Sequence, residues 1–500
     1  MTSEFDVVVV GGGGSGLATA VRAAQLGLKV VVLERCQQLG GTTGIAVGSY
    51  TSSGTRHQQA AGISDSPADH EDDLTQFAPS EIEARNNKSM RAYFLGQTAR
   101  THQWLESMGL RFVGPSPEPP NQKPRMHNVI PGAKAYVATF QLELRKHAGV
   151  VHCGVADAKL IMEQGRVVGV SGVLRGENHR WLASRGVVLA GGDYSSNPEM
   201  IARFKGEQFG RIEGINPRAV GAGHRLAMDV GADMVNMDVT YGPELRFVTQ
   251  RKQPFQQWLP TTGWRARVLG FIASKMPNWF MNRMIKRLLV TWQHPEDSLF
   301  DDGALLVNRE GKRFVSELAW PDREIAVADQ NEKQAYIVLD DRLIQLYSAW
   351  PKFISTAPDI AYAYVKDYQR LRPDVTHLGA SISAVAESAN LPPEQLRLTI
   401  EESDELDPAS SRWAVLGPVK AYFTTTEGGA MVNQQMQVLR DTDTHDSNDI
   451  QETINGLYAV GQNGLSGMIL WSHGLHIAWA MTSGRLAGES LANANQIKIG

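Results

Sequence analysis

Four valines run straight into four glycines in "DVVVVGGGGSGLATA", residues 6–20, and this stretch constrains the chain more than any other. The apolar run reads as a strand buried on both faces, as in a parallel sheet covered by helices. Gly11, Gly13 and Gly16 then fall on the G-x-G-x-x-G spacing, and "GLATAVRAAQLG" continues with helical apolar periodicity. In such a unit the first glycine permits the tight turn and the second lets the backbone approach a pyrophosphate. The third lets the helix pack on the strand, so that the helix amides face the phosphates. A second apolar strand, "KVVVLE", ends in Glu34, about 20 residues after the turn, where a carboxylate accepts hydrogen bonds from a ribose 2′-hydroxyl and repels a 2′-phosphate.

With 500 residues the chain has room for two or three domains and a large core. A net charge of −4 gives no reason to expect nucleic acid as a partner. Cys36 and Cys153 are the only cysteines, too few for a disulfide framework or an iron–sulfur cluster, and C-x-x-C-H is absent, which removes c-type haem. A reducing, cytoplasmic setting is expected. The first strand starts almost at the N-terminus, with no visible signal peptide, and no apolar run approaches a membrane span.

One region departs from this average. Between Glu244 and Glu296 there is no Asp or Glu, while Arg246, Arg251, Lys252, Arg265, Arg267, Lys275, Arg283, Lys286 and Arg287 lie there with Trp258, Trp264, Trp279 and Trp292. Interleaved bulky apolar and basic residues suit a helical hairpin packed on its own domain. They equally suit an interfacial lid that makes peripheral membrane contact and admits a lipophilic substrate. Elsewhere, "MRAYFLGQTARTHQWLESMGLRF" reads as a helix ending at Gly109, and the stretch from Lys159 to Gly192 as a strand meander leading into a buried strand. "LLVNREGKRFVSE" reads as a hairpin turning at "REG", and the stretch after Ile382 as two helices, the second starting near Pro392.

Taken in order, "DVVVVGGGGSGLATA", "LERCQQLGGTTGIAVG", "GVVLAGGDYSSNPEMI", "VGAGHRLAMDVGADMVNMD", "LLVNREGKRFVSE", "TTEGGAMVNQQMQVL" and "GLYAVGQN…GLHIAWAMTSGRLAG" span nearly the whole chain. Together they resemble the flavoproteins that include the fumarate reductase and succinate dehydrogenase flavoprotein subunits and the 3-ketosteroid dehydrogenases. The resemblance implies FAD, bound non-covalently, since no histidine stands where covalently flavinylated relatives carry theirs. It implies an α/β fold: a Rossmann-like FAD-binding domain from residues 1–242 and 424–500, and an inserted α+β cap over 243–423 whose lid covers about 255–293. It assigns Gly11, Gly13, Gly14, Ser15 and Gly16 to the pyrophosphate, and Glu34 with Arg35 to the adenosine side. Gly41, Thr42, Thr43 and Gly44 would wrap the flavin side, with Val155 at the adenine and Ala190 and Gly191 along the cofactor. Gly461 and Gln462, with Gly474, Leu475 and Ile477 at the start of the last helix, would hold the ribityl chain and the pyrimidine end, where a helix N-terminus stabilises negative charge.

The same resemblance narrows the reaction. Buried dicarboxylates need cationic clamps. Where fumarate reductases place histidine in "HTMGG" this chain has Thr425, and their two arginines register with Trp471 and Pro321, just before Asp322 and Arg323. The end of the chain is more similar to Δ4-type 3-ketosteroid dehydrogenases, with Trp471 and His473 of "WSHGL" standing at their tyrosine and serine. His473 is then either the proton-handling group or a hydrogen-bond partner of the flavin or a backbone carbonyl. Tyr241 and Tyr422, at the hinges into and out of the cap, and Trp471, at the pocket rim, are further catalytic-site candidates, and Trp320 only shapes the pocket. The expected reaction is FAD-dependent desaturation α,β to the carbonyl of a bulky, apolar cyclic ketone such as a 3-ketosteroid, or the same step run as enone reduction, with an external electron acceptor or donor. A reductase of another activated alkene, a flavin hydroxylase and a non-catalytic flavoprotein are the alternatives.

Overall fold

The computed structural model describes residues 1–248, 286, 290, 294–357, 361–441 and 452–494. Apart from Lys286 and Val290, the basic aromatic lid at 255–293 therefore lies outside the described residues.

The valine run forms the strand Thr2–Val10, with Val7, Val8 and Val9 fully buried. It pairs in parallel with Val30–Glu34 on one side (Val7 opposite Val30) and with Glu177–Leu189 on the other (Val7 opposite Gly186). An eight-stranded sheet runs Gln437–Leu439, Thr453–Ala459, Glu177–Leu189, Thr2–Val10, Val30–Glu34, Val150–Cys153, and the antiparallel meander Val155–Glu163 and Arg166–Leu174 leads into Glu177–Leu189. Each valine removed from water here contributes roughly 1.5 kcal/mol or more. The helix Gly14–Gln25 is clamped onto the sheet by the final helix, Leu475–Asn493. Gly484 and Gly488 make that approach possible, because a Cβ on Gly484 would lie 2.5 Å from the Ser15 carbonyl oxygen and one on Gly488 2.8 Å from the Arg22 Cβ.

A second core surrounds a six-stranded sheet built on Trp413–Phe423, which pairs with Glu213–Gly214, Ala335–Leu339, Glu244–Phe247 and Thr376–Gly379, with Leu305–Val307 beyond. Two short antiparallel ladders join the two bodies: Thr240–Tyr241 on Thr425–Thr426, and Met234–Val235 on Gly429–Ala430. A small sheet of Ser49–Thr51, Met126–Val129 and Phe112–Ser116 closes one side of the space between them.

The helices Lys88–Ser107, Ile382–Ser388 and Pro393–Glu401 lie where apolar periodicity and the flanking glycine and proline put them. The "LLVNREGKRFVSE" hairpin is only half formed. Its turn is present, with Gly311 at φ +76° and Asn308 N–H donating to Lys312 O at 2.9 Å, but the returning arm is a single bridge, Val307 to Arg313. The Glu317 carboxylate takes the Leu306 amide at 2.9 Å and the Arg313 guanidinium at 2.6 Å, so a side chain caps the strand where a second strand was expected. Among the described residues no helix is long and apolar enough to cross a membrane. Lys286 is engaged inside the fold, 2.9 Å from the Asp367 carboxylate and over the Tyr364 ring.

Candidate active site

A cavity of about 2800 Å³ runs from the glycine turn to the loop before the final helix. That exceeds the volume a single drug-sized ligand needs.

At one end the three motif glycines have different reasons to lack a side chain. Gly11 sits at φ +113°, and a Cβ there would meet the Ala190 carbonyl oxygen at 2.2 Å. Gly16 packs helix on strand, with a Cβ falling 2.0 Å from the Gly11 oxygen, so this glycine lies behind the cavity wall and not on it. Gly13 is the bare one: a Cβ there would meet nothing nearer than 4.0 Å, it faces the cavity, and no side chain caps the helix that starts after it. Gly14 and Ser15 line the cavity in that helix's first turn, where unsatisfied amides favour an anion.

Glu34 also lines this end, its carboxylate fixed by the Gly12 and Cys36 amides, each at 2.7 Å. Each oxygen keeps a lone pair for a further donor. Arg35 reaches the Arg218 carbonyl at 3.0 Å, and Val155 closes the floor. Along the middle, the short helix Gly41–Ile45 presents Gly41, Thr42, Thr43 and Gly44, with Thr42 held by the Asn216 amide at 2.9 Å. Ala190 and Gly191 face it. Asn463 organises that wall by accepting the Gly191 amide at 2.5 Å and donating to the Gly192 carbonyl and to His224 Nδ1, both at 3.0 Å. His224 Nε2 donates to the Gly428 carbonyl at 2.9 Å, and burial pushes the ring's pKa down to about 4, which keeps it neutral.

At the far end Gly461, Gln462, Gly474, His476 and Ile477 line the cavity. Gln462 is locked by donating to Thr425 Oγ1 and the Thr426 carbonyl at 2.8 and 2.7 Å. Gly474 caps the final helix at φ +87°, where a Cβ would lie 2.9 Å from the Thr51 hydroxyl and from the Ser49 carbonyl carbon. Leu475 turns the other way: it is fully buried in the core and does not reach the cavity, because the helix shows the cavity one face and the sheet the other. His476 Nε2 lies 2.8 Å from the fully buried Glu427 carboxylate.

The four catalytic candidates separate. His473 lines the cavity, with Nδ1 and its own backbone amide both on Glu118 Oε1, at 2.8 and 2.7 Å. The other Glu118 oxygen accepts from Ser472 Oγ at 2.8 Å. Burial disfavours the charged ring, but the Glu118 hydrogen bond and charge, with Glu244 adding, outweigh it and raise the His473 pKa. Tyr241 also lines the cavity, and its pKa is pushed well above the usual phenol value, first by burial and then by Glu244 and Glu118, so it is a donor and not a base. Trp471 does not reach the cavity. It stacks behind Tyr241, centroids 5.2 Å apart, against Ala78, Val239 and Ile469. Tyr422 does not reach it either: its strand pairs it beside Glu213 and Glu244, its pKa is pushed up to about 12 by burial, and Thr424 and Thr425 come to the cavity in its place. Trp320 is exposed, its indole donating to the Pro243 carbonyl at 3.0 Å, and Arg323 is buried on Glu324 and Asp297, not on Asp322.

Glu118 and Glu244 were invisible to sequence reasoning, while Arg246 counted only among the basic residues and Asn463 only as the end of "GLYAVGQN"; each meets its partner through the fold. Arg246 lines the cavity and is paired with Glu244 at 2.8 Å and Thr424 Oγ1 at 3.2 Å.

What fills this space must carry phosphates at the glycine turn and reactive chemistry beside His473. A dinucleotide with a redox ring meets both demands, and the protein is an FAD-dependent oxidoreductase of the kind that acts on CH–CH bonds. Residues 6–257 and 273–473 match the FAD binding domain family, and the chain belongs to it. It is 26% identical over 511 residues to a fumarate reductase (cytochrome) of Shewanella frigidimarina, covering 97% of this chain and 77% of that protein. Among solved structures, the open conformation of a flavocytochrome c3 fumarate reductase superposes with a TM-score of 0.72 at 21% identity, over 98% of this chain and 78% of that one. A 3-ketosteroid Δ4-(5α)-dehydrogenase from Rhodococcus jostii RHA1, in complex with 4-androstene-3,17-dione, superposes at 0.59 and 21% identity, over 98% and 97%. The donor set fits FAD: a bare Gly13 at an uncapped helix start, a carboxylate held at the second strand end, and a second helix N-terminus at Gly474.

Proposed function

We propose that the protein introduces, or in the reverse direction reduces, the C=C bond α,β to the carbonyl of a bulky, largely apolar cyclic ketone, with 3-ketosteroids as the reference substrates. The observation that carries this reading is the His473–Glu118 pair in the cavity wall, beside a tyrosine that stays protonated. Bound FAD supplies the two-electron acceptor for the hydride. Tyr241 donates a hydrogen bond from its phenol to the ketone oxygen, which acidifies the neighbouring C–H and leaves the phenol protonated. Glu118 holds His473 by Nδ1, which leaves Nε2 to take the proton from the α-carbon, or to return it during enone reduction.

Thr425, Trp471 and Pro321 replace the cations a dicarboxylate enzyme would use, and Arg246 is already neutralised by Glu244, which favours an uncharged ligand. In this reading residues 1–242 and 424–500 form the FAD-binding unit, 243–423 form the cap, and 255–293 are the lid, touching a membrane surface when a lipophilic substrate enters. Gly11, Gly13, Gly14, Ser15 and Glu34 serve the adenosine diphosphate half, while Thr42, Thr43, Gly461 and the Gly474 helix start serve the flavin half. The external electron partner sets the direction.

The test is anaerobic mixing of the yellow enzyme with saturated cyclic ketones, 3-ketosteroids among them, and with succinate. Bleaching of the flavin by a ketone and not by succinate is expected. Bleaching by succinate alone overturns the substrate class, and failure of both ketones to reduce and enones to reoxidise the flavin overturns the reaction.

A further inference from the structure

Away from the active-site cavity, three imidazoles and one carboxylate converge where nothing in the proposed reaction uses them. His57 belongs to the short helix Arg56–Ala60, His102 and Glu106 stand one turn apart on the helix Lys88–Ser107, and His127 lies in the strand Met126–Val129. His57 Nε2 is 2.9 Å from Glu106 Oε1, and His102 Nδ1 is 3.5 Å from Glu106 Oε2. One ligand atom from each of His57, His102 and Glu106 lies within 4.8 Å of the others. The rings are crowded, with centroids 5.3 Å apart for His57 and His102 and 4.9 Å for His102 and His127. His102 is nine-tenths buried or more, and its Nε2 has no hydrogen-bond partner among the described residues.

Hydrogen bonding leaves this cluster incomplete: a single carboxylate serves both His57 and His102, and the buried His102 Nε2 has no partner among the described residues. Two imidazoles that share one carboxylate are a nitrogen–oxygen ligand set suited to a divalent first-row ion. We propose that His57, His102 and Glu106 bind a Zn²⁺ ion, with water in the fourth position on the solvent side, where the His57 side chain is 26% exposed and gives a path of entry. Small rotations of the side chains bring the three donors to the ~2.0–2.2 Å that zinc requires. His127 packs alongside, its Nε2 held by Thr55 Oγ1 at 2.9 Å.

The ion ties the helix Arg56–Ala60 to the helix Lys88–Ser107, and the His57 and His102 rings pack on His127 in the strand whose Met126 and Asn128 line the active-site cavity. It braces that wall and takes no part in the redox step.

The experiment uses FAD-loaded enzyme stripped of metal with a chelator and titrated with Zn²⁺ against a chromophoric competitor, while bound zinc and thermal midpoint are followed. Wild-type enzyme takes one equivalent, and its midpoint rises with free Zn²⁺. His57→Ala and the isosteric Glu106→Gln, each checked for unchanged flavin content, weaken binding by at least the ~10–100-fold that loss of an outer-shell partner already costs. The proposal fails if wild-type enzyme binds no zinc, or if both variants bind it as tightly as wild type. In either case the cluster is a hydrogen-bonded network and nothing more.

Discussion

Glu118 and His473 are 355 residues apart in sequence and 2.7 Å apart in space, and the chemistry turns on that pair. Replacing His473 with Ala should lower kcat by ~10²–10⁴, the usual contribution of a positioned acid or base, with flavin content unchanged. Glu118→Gln is more diagnostic. Desaturation needs the neutral ring, so its rate rises as pH passes through the raised His473 pKa, and removing the carboxylate should move that rise to lower pH. A pH profile that does not move would show that Glu118 only packs. Stability follows the same sign: a histidine whose folded pKa is raised stabilises the fold below its unfolded value of about 6.5, and the contribution is lost as pH climbs through the folded pKa. The pH dependence of the urea midpoint should therefore flatten in Glu118→Gln. His473 itself was legible from its place in "WSHGL", but the direction of its pKa was not, because that depends on a carboxylate in an unremarkable proline-rich loop.

Elements divide by how local their causes are. The first strand, glycine turn and helix were readable because periodicity and glycine spacing act within twenty-odd residues, and Gly13 and Gly16 offer opposite tests of that unit. Gly16→Ala drives a Cβ to within 2.0 Å of the Gly11 oxygen and should lower the thermal midpoint by the equivalent of about 1–3 kcal/mol. Gly13→Val points into open space, so circular dichroism should stay native while the ratio of flavin to protein falls. Equal loss of fold in both variants would remove Gly13 from the cofactor contacts. The incomplete "LLVNREGKRFVSE" hairpin shows the limit of such reading, since apolar alternation cannot reveal that the Glu317 side chain will take the Leu306 amide. Tyr422 and Leu475 teach the same lesson: a residue beside a motif faces the cavity or turns from it according to strand register and helix phase.

For the whole molecule, two hydrophobic cores are joined by two-residue ladders, and the cavity is lined from the first core, with Arg246 reaching it from a strand of the second sheet. FAD bound there should couple the two bodies. Removing it should lower the thermal midpoint, and returning it should raise the midpoint with concentration, by about 4 kcal/mol at a thousandfold excess over Kd. A midpoint independent of FAD would mean that the cofactor site forms without consequence for the fold.

By itself the sequence determined the parallel sheet, the dinucleotide turn and the family, because buried-strand runs, glycine spacing and motif order act locally and survive in one dimension. Only the tertiary structure decided that Glu118 holds His473, that Arg246 is paired by Glu244 at the cavity wall, and that His57 and His102 meet at Glu106. Those contacts join segments with no shared periodicity, and side chains meet there only after the sheets and helices have packed.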